Sequence, residues 1–323
     1  MRFVHEDSQA FVELIERVAV RLDRDPFMIE KDYWVTHALY ALQNHDFQIW
    51  FKGGTSLSKG FGLIERFSED LDIKLEHPGI DEPSSWTSAK GKKHIASRSV
   101  FFSDVMKTLG ELQPFTAKRE DIPADDGSMR NLQVRLEWPG QVHTHVSGVL
   151  RDYVLLEIGS TRVTPHTMRT IRSWVHDELG IVGATGDFID NRPTIRCLHP
   201  LVTLIEKLTI LEKCAPDIGR PPESFIRHFE DVAHIARAHL DGKLPEHPEC
   251  TDVGALIDVV KRISRETLTA SRPAAFHFEK LPDGRLETLE HAHAAIGLLF
   301  FGPRISLAEC AATVREWIAS RVQ

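Results

Sequence analysis

Apolar positions in the first half of the chain follow two different periods. Asp25-Pro26 precedes FMIEKDYWVTHALYALQNH, where Trp34, Val35, Ala38, Leu39 and Leu42 recur at helical spacing. An aspartate able to accept from a free amide, then proline in the first turn, marks a helix start. FQIWF (47–51) is short, aromatic and β-branched, and predicts a buried strand. GGTS reads as a turn, LSKGFGLIERF as a short helix, and LDIKLE (71–76) as an alternating strand. Residues 77–98 are polar with Pro, Gly and Ser, the composition of a loop. VFFSDVMKTLGEL (100–112) has helical period. NLQVRLEW (131–138), with Leu132, Val134 and Leu136 on one face, and YVLLEIGS (153–160) read as strands.

Beyond residue 195 the strand signals fade. HPLVTLIEKLTILEKC, PESFIRHFEDVAHIARAHL, DVGALIDVVKRIS and the segments from Glu287 and Leu307 onward all have helical period. The pattern predicts a mixed sheet with helices packed on it, then an all-helical part. The boundary is expected between residues 180 and 198, within IVGATGDFIDNRP, which gives domains of 1–190 and 191–323. A length of 323 residues agrees with two domains.

Composition narrows the function classes. No stretch approaches the roughly 20 apolar residues of a membrane span. MRFVHEDSQAFVELIERV lacks the apolar core of a signal peptide, so a cytoplasmic protein without a membrane partner is expected. Cys197, Cys214, Cys250 and Cys310 form no CxxC pair, which argues against a zinc site or a disulfide framework. A net charge of −8 excludes a wholesale basic nucleic-acid binder. It leaves room for a local patch, and Lys90-Gly91-Lys92-Lys93-His94 with Arg98 is one basic run, read first as a solvated loop and second as a phosphate contact.

The chemistry concentrates in FKGGTSLSKGFGLIERFSEDLDIKL, residues 51–75. On a strand Asp70 and Asp72 project from one face while Leu71 and Ile73 turn inward. Two adjacent carboxylates repel, and a divalent cation with a preference for hard oxygens removes that penalty. Upstream, Gly53 and Gly54 let the backbone approach an anion, and Thr55 and Ser56 offer hydroxyls to phosphate. Two-metal transfer needs a third carboxylate on a neighbouring strand. Glu157 in VLLEIG is the first candidate and Glu137 its competitor; solvated aspartates, and a Glu157 paired with Arg151 or Arg162, are the alternatives.

Lys52-Gly53-Gly54-Thr55-Ser56-Leu57-Ser58-Lys59 followed by Arg66-Phe67-Ser68-Glu69-Asp70-Leu71-Asp72 resembles the central signature of the AbiEii/AbiGii nucleotidyltransferase toxins, within the DNA polymerase β-like superfamily. Glu30-Lys31-Asp32-Tyr33-Trp34-Val35-Thr36, PLVTLIEKL (200–208) and Arg227-His228-Phe229-Glu230-Asp231 are similar to three further blocks in family order. The resemblance implies an α/β (α+β) nucleotidyltransferase core followed by a helical domain closing the cleft. It implies Mg²⁺, with Mn²⁺ as a substitute, held by Asp70 and Asp72, and Glu157 is the expected third ligand from its strand. It implies an NTP whose triphosphate is bound by Gly54 with either Thr55 or Ser56; Lys52, Gly53, Arg66, Ser68 and Lys207 are the further expected nucleotide contacts. Lys207 and Asp231 match the lysine and aspartate of the family's helical side. Without that match, Lys207 reads as a surface lysine paired with Glu206 or Glu212, and Asp231 as an intrahelical partner of Arg227. Lys52 and Arg66 read as phosphate contacts or as partners of the carboxylates. Glu30, Lys31 and Asp32 read as a brace behind the nucleotide loop or as a nucleotide contact.

The expected reaction is transfer of NMP from an NTP to an acceptor hydroxyl, with the tRNA 3′ end as acceptor, by the toxin of a toxin–antitoxin or phage-defence pair with a cognate antitoxin. The alternatives are nucleotidyl transfer to a small molecule or protein, γ-phosphoryl transfer from the same metal site, and a nucleotide-binding regulator without turnover.

Overall fold

Helix starts in this chain follow from local chemistry. In α2 (Pro26–Asn44) the Asp25 carboxylate accepts from Phe27 N at 2.8 Å and proline opens the first turn. The computed structural model describes residues 1–68, 70–86, 91–120, 127–140, 142–143, 150–160, 164–264 and 274–322. These fall into two compact units.

The first unit comprises Met1–Thr55, Glu69–Val163 and Met168–Cys197. Its strands are β1 (Gln48–Lys52), β2 (Asp70–Glu76), β3 (Thr116–Glu120), β4 (Asn131–Glu137), β5 (Val154–Gly159), β6 (His166–Thr170, whose first residues group with the other unit) and β7 (Thr194–Leu198). They form one mixed seven-stranded sheet in the order β3-β4-β5-β2-β1-β7-β6. β2 runs antiparallel to β1 and parallel to β5; β4 is antiparallel to β5 and to β3. One face carries Leu71, Ile73, Leu75, Leu132, Val134, Leu136, Leu156 and Ile158, all buried. Each such side chain contributes about 1.5–3 kcal/mol when fully buried. α2 packs on β1 and β5, and α1 (Ser8–Leu22) on α2. The other face of β2 carries Asp70, Asp72 and Lys74.

The second unit comprises Ser56–Ser68, Thr164–Thr167 and Leu198–Gln323. After the one-turn α3 (Gly53–Thr55), α4 (Lys92–Leu109) and α5 (Trp174–Ile181) of the first unit come its helices: α6 (Pro200–Cys214), α7 (Arg227–Leu240), α8 (Val253–Ser264), α9 (Arg285–Ala295) and α10 (Leu307–Arg321). α7 packs on α6 and α10, around a core that includes Phe229, Phe276 and Trp317. The observed class is a mixed α/β sheet domain with a helical C-terminal region.

Several elements depart from expectation. LSKGFGLIERF is not one helix: a π-helical turn covers Ser56–Gly60 and the chain then extends, because Gly60 and Gly62, the latter at φ +62°, end the helix. The extended part docks in the helical unit, with Phe67 N donating to Leu299 O at 2.7 Å and Phe301 N to Glu65 O at 2.9 Å. Residues 77–98 are not all loop, since α4 begins at Lys92. β3, β6 and β7 were not foreseen; each is five residues long, too short for alternation to declare itself, and β7 lies where strand signals had faded. The basic run divides. Lys92 and Lys93 are exposed on α4, while Arg98 is fully buried and donates to Ser128 O (2.8 Å) and Ser85 O (2.6 Å), which rules it out as a phosphate contact. Lys90, Glu69 and Arg162 lie outside the described residues. All four cysteines are buried, and none forms a disulfide among the described residues. Among the described residues no helix is long and apolar enough to cross a membrane.

Candidate active site

Register assembles the first cluster. Lys52 of β1 stands opposite Asp72 of β2, Asp72 opposite Glu157 of β5, and Glu157 opposite Gln133 of β4. Four polar side chains therefore form one rung across four strands, because directly paired residues point to the same face. Asp70 is two residues along β2 on that face, paired in register with Leu155. Glu137 lies four residues from Gln133 along β4, about 13 Å at strand spacing, and its carboxylate takes Lys118 Nζ at 2.7 Å. The rung thus sets Glu157, and not Glu137, beside the aspartates.

The carboxylates are held from several sides. Gln133 Nε2 donates to Glu157 Oε1 at 2.7 Å. Arg151 Nη1 donates to Asp70 Oδ1 at 2.7 Å. Thr55 Oγ1 donates to the main-chain oxygen of Asp70 at 2.7 Å, so its proton ties the glycine turn to the start of β2. Gly53, at φ +76°, passes so near Asp72 that a Cβ there would sit 2.1 Å from Asp72 Oδ2. Only glycine allows this approach. Ser56 Oγ is buried and has no hydrogen-bond partner among the described residues. Lys52, Asp72, Asn131, Gln133, Glu157 and Gly159 line a cavity of about 210 Å³.

Burial, then the charges of Asp72 and Asp70, push the Glu157 carboxyl up to about 7. Three hard-oxygen donors whose charges oppose one another fit a divalent cation, which would relieve the repulsion. Among the described residues no group of three or more His, Cys, Asp or Glu side chains is already arranged to hold a metal ion; one Asp70 oxygen is engaged by Arg151 and one Glu157 oxygen by Gln133. An open set completed by water and substrate phosphates is the usual habit of Mg²⁺.

The triplet on α2 is buried and bonded. Glu30 accepts from Trp138 Nε1 (3.1 Å) and His143 N (3.0 Å), and Asp32 from Trp174 N (2.9 Å) at the start of α5. Lys31 Nζ donates to Arg151 O at 2.5 Å, so Lys31 braces the segment that carries Arg151.

The second cluster lies within the helical unit. Asp231, fully buried, accepts from Arg66 Nε (2.8 Å) and Arg66 Nη2 (2.9 Å), and pairs with Lys207 Nζ at 2.9 Å. Lys207 Nζ is also 2.9 Å from His228 Nδ1. Burial alone would raise the Asp231 carboxyl, but Arg66 and Lys207 outweigh it and hold it well below the usual carboxylate range. Burial lowers Lys207, as does Arg66, against the pull of Asp231. Burial and then Lys207 push His228 down to about 4. Asp231 thus pairs with Lys207 and with Arg66, rather than with Arg227, and Lys207 pairs with Asp231 rather than with the neighbours in sequence, Glu206 and Glu212. Arg66 is expected from the sequence to contact phosphate or to partner the Asp70–Asp72 pair; the carboxylate it binds is that of Asp231.

Arg151, Gln133 and His228 escaped the sequence reading as site residues. Gln133 and Arg151 are brought there by the pairing of β2, β4 and β5, which leaves no linear trace. His228 stands one turn from Asp231, and only its spacing hinted at it.

A model of the family described as nucleotidyl transferase AbiEii toxin, type IV toxin–antitoxin system, matches residues 37–294. No curated protein matches the chain. Among solved structures, the nucleotidyltransferase toxin MenT4 of Mycobacterium tuberculosis H37Rv is similar in fold, with a TM-score of 0.53 and 19% identity over 94% of this chain and 88% of that one.

Proposed function

We propose which residues of this enzyme act and on what; the chain belongs to the AbiEii nucleotidyl transferase toxin family of type IV toxin–antitoxin systems, and its activity is nucleotidyl transfer. The reading is NMP transfer from an NTP to the 3′-terminal hydroxyl of a tRNA, in the cytoplasm, under control of a cognate antitoxin. What supports it most is the rung Lys52–Asp72–Glu157–Gln133 with Asp70 beside it.

Asp70, Asp72 and Glu157 would hold Mg²⁺, or Mn²⁺ in its place. Bound there, the metal supplies Lewis acidity to the acceptor hydroxyl and to the triphosphate. The acceptor hydroxyl gives up its proton to solvent, its oxygen bonds to the α-phosphorus, the bond from that phosphorus to the bridging oxygen breaks, and pyrophosphate leaves. Gln133 orients Glu157, and Thr55 fixes the main chain at Asp70. Gly54 and the Ser56 hydroxyl, which has no hydrogen-bond partner among the described residues, are assigned to the triphosphate, with Lys52 as the positive charge. Lys207 and Asp231 enter as the cation and anion of the helical unit, on the strength of the motif match, with Arg66 securing Asp231. Ser68 keeps its assignment to the nucleotide from the motif alone.

The test is incubation with each α-³²P-labelled NTP and Mg²⁺, with and without tRNA. Label on tRNA with the wild type and not with Asp70→Asn or Asp72→Asn is the expected result. Label on protein or a small molecule overturns the RNA acceptor. Transfer that survives both substitutions overturns the site.

A further inference from the structure

Arg151 immediately precedes the segment that leads into β5, and its side chain reaches Asp70 Oδ1 at 2.7 Å. Two features separate this contact from an ordinary surface pair. The main chain of Arg151 is fixed from beneath, because its carbonyl accepts at 2.5 Å from Lys31 Nζ, and Lys31 is fully buried in α2. The partner is also one of three mutually repelling carboxylates on a single sheet face, where a positive charge relieves strain that solvent alone does not. The guanidinium has a second surface within reach, the Tyr153 ring, whose centroid is 6.0 Å from its central carbon.

A carboxylate has two oxygens, and a guanidinium on one of them places a positive charge where a divalent cation would sit. We propose that Arg151 is a resident counter-cation for Asp70, seated by Lys31, which a divalent cation must displace from Oδ1 in order to bind. The proposal rests on the reading of Asp70, Asp72 and Glu157 as the cation site. It accounts for the open arrangement of the three carboxylates in this structure: Arg151 holds Asp70 as Gln133 holds Glu157. Metal loading is then an exchange of one cation for another. Arg151 sets the threshold of that exchange, and Lys31 acts through the main chain of Arg151 as a positioning residue.

The two side chains are 42% and 29% exposed, so an incoming ion reaches both, and Arg151→Gln leaves the carbonyl that Lys31 holds. The experiment is Mn²⁺ titration of the full chain without nucleotide, read by the electron paramagnetic resonance signal of free Mn²⁺. It compares wild type, Arg151→Gln, Asp70→Asn and the double variant. Arg151→Gln should bind Mn²⁺ roughly two- to fivefold more tightly, the range of a partly exposed ion pair. The gain should vanish in the Asp70→Asn background. Equal or weaker binding by Arg151→Gln overturns the proposal, as does a gain that persists undiminished without Asp70. Mn²⁺ affinity unchanged by Asp70→Asn sinks the carboxylate site itself, and the exchange with it.

Discussion

Arg66 donates through Nε and Nη2 to the two oxygens of Asp231, a residue 165 positions away, at 2.8 and 2.9 Å. The pair is almost wholly buried, and Lys207 adds a third charge at 2.9 Å. It ties the segment between the glycine turn and the Asp-x-Asp strand to helix α7.

Removing one member should unfold more than it inactivates. Asp231→Asn leaves two buried cations without a counter-charge, and a loss of roughly 3–5 kcal/mol is expected, the range for breaking a buried ion pair. Because the folded-state pKa of Asp231 is depressed, its stabilisation is complete above the unfolded Asp range and is lost as pH falls towards the folded value. Urea unfolding of wild type and variant between pH 3 and 7 checks both points: the gap between them should shrink in acid, and a constant gap refutes the charge argument.

Cation binding should weaken as the solution is acidified through neutrality. Glu157 titrates at about 7, so a metal must compete with its proton below that value. The same raised pKa means that the folded state binds more protons than the unfolded state between about 4.5 and 7, so this group's contribution to stability falls as pH rises across that window. Mn²⁺ affinity measured from pH 5.5 to 8.5 should rise with pH in the wild type and stay flatter in Glu157→Gln. Parallel curves would falsify the role of Glu157.

Thr55 and Ser56 should separate cleanly. Thr55→Val removes a hydrogen bond to the Asp70 carbonyl and is expected to cost about 1 kcal/mol of stability. Ser56→Ala removes a hydroxyl with no partner among the described residues, so stability should hold while NTP affinity drops several-fold. Thermal melts and NTP binding on the two variants decide it; the reverse pattern would exchange the roles.

Gly53→Ala is the sharpest steric probe. A methyl group would lie 2.1 Å from Asp72 Oδ2, at a φ of +76° that costs a side chain roughly 1–2 kcal/mol by itself. Transfer activity and Mn²⁺ binding should both fall severely, whereas Gly62→Ala, with open space around it, should keep both and lose only about that strain in stability.

Much of this site was legible in the chain because its parts are local. Alternation alone puts Asp70 and Asp72 on one face of β2 and Leu71 and Ile73 on the other, and the structure keeps them there. The start of α2 follows from Asp25 and Pro26 in the same way. The family signature is likewise a linear object, and it carried the activity class. What the chain could not display are relations closed over long separations. Glu157 comes beside Asp72 only through parallel pairing of β5 with β2, and Arg151, whose side chain reaches Asp70, has its carbonyl held by Lys31 on a distant helix. Lys207, Asp231 and Arg66 each had an ordinary partner nearby in sequence, yet burial selected the triad they form. Periodicity and capping depend on neighbours within a turn or two and so are written in the sequence. Register and the pairing of buried charges are settled only when the tertiary fold has removed water, and with it the alternatives.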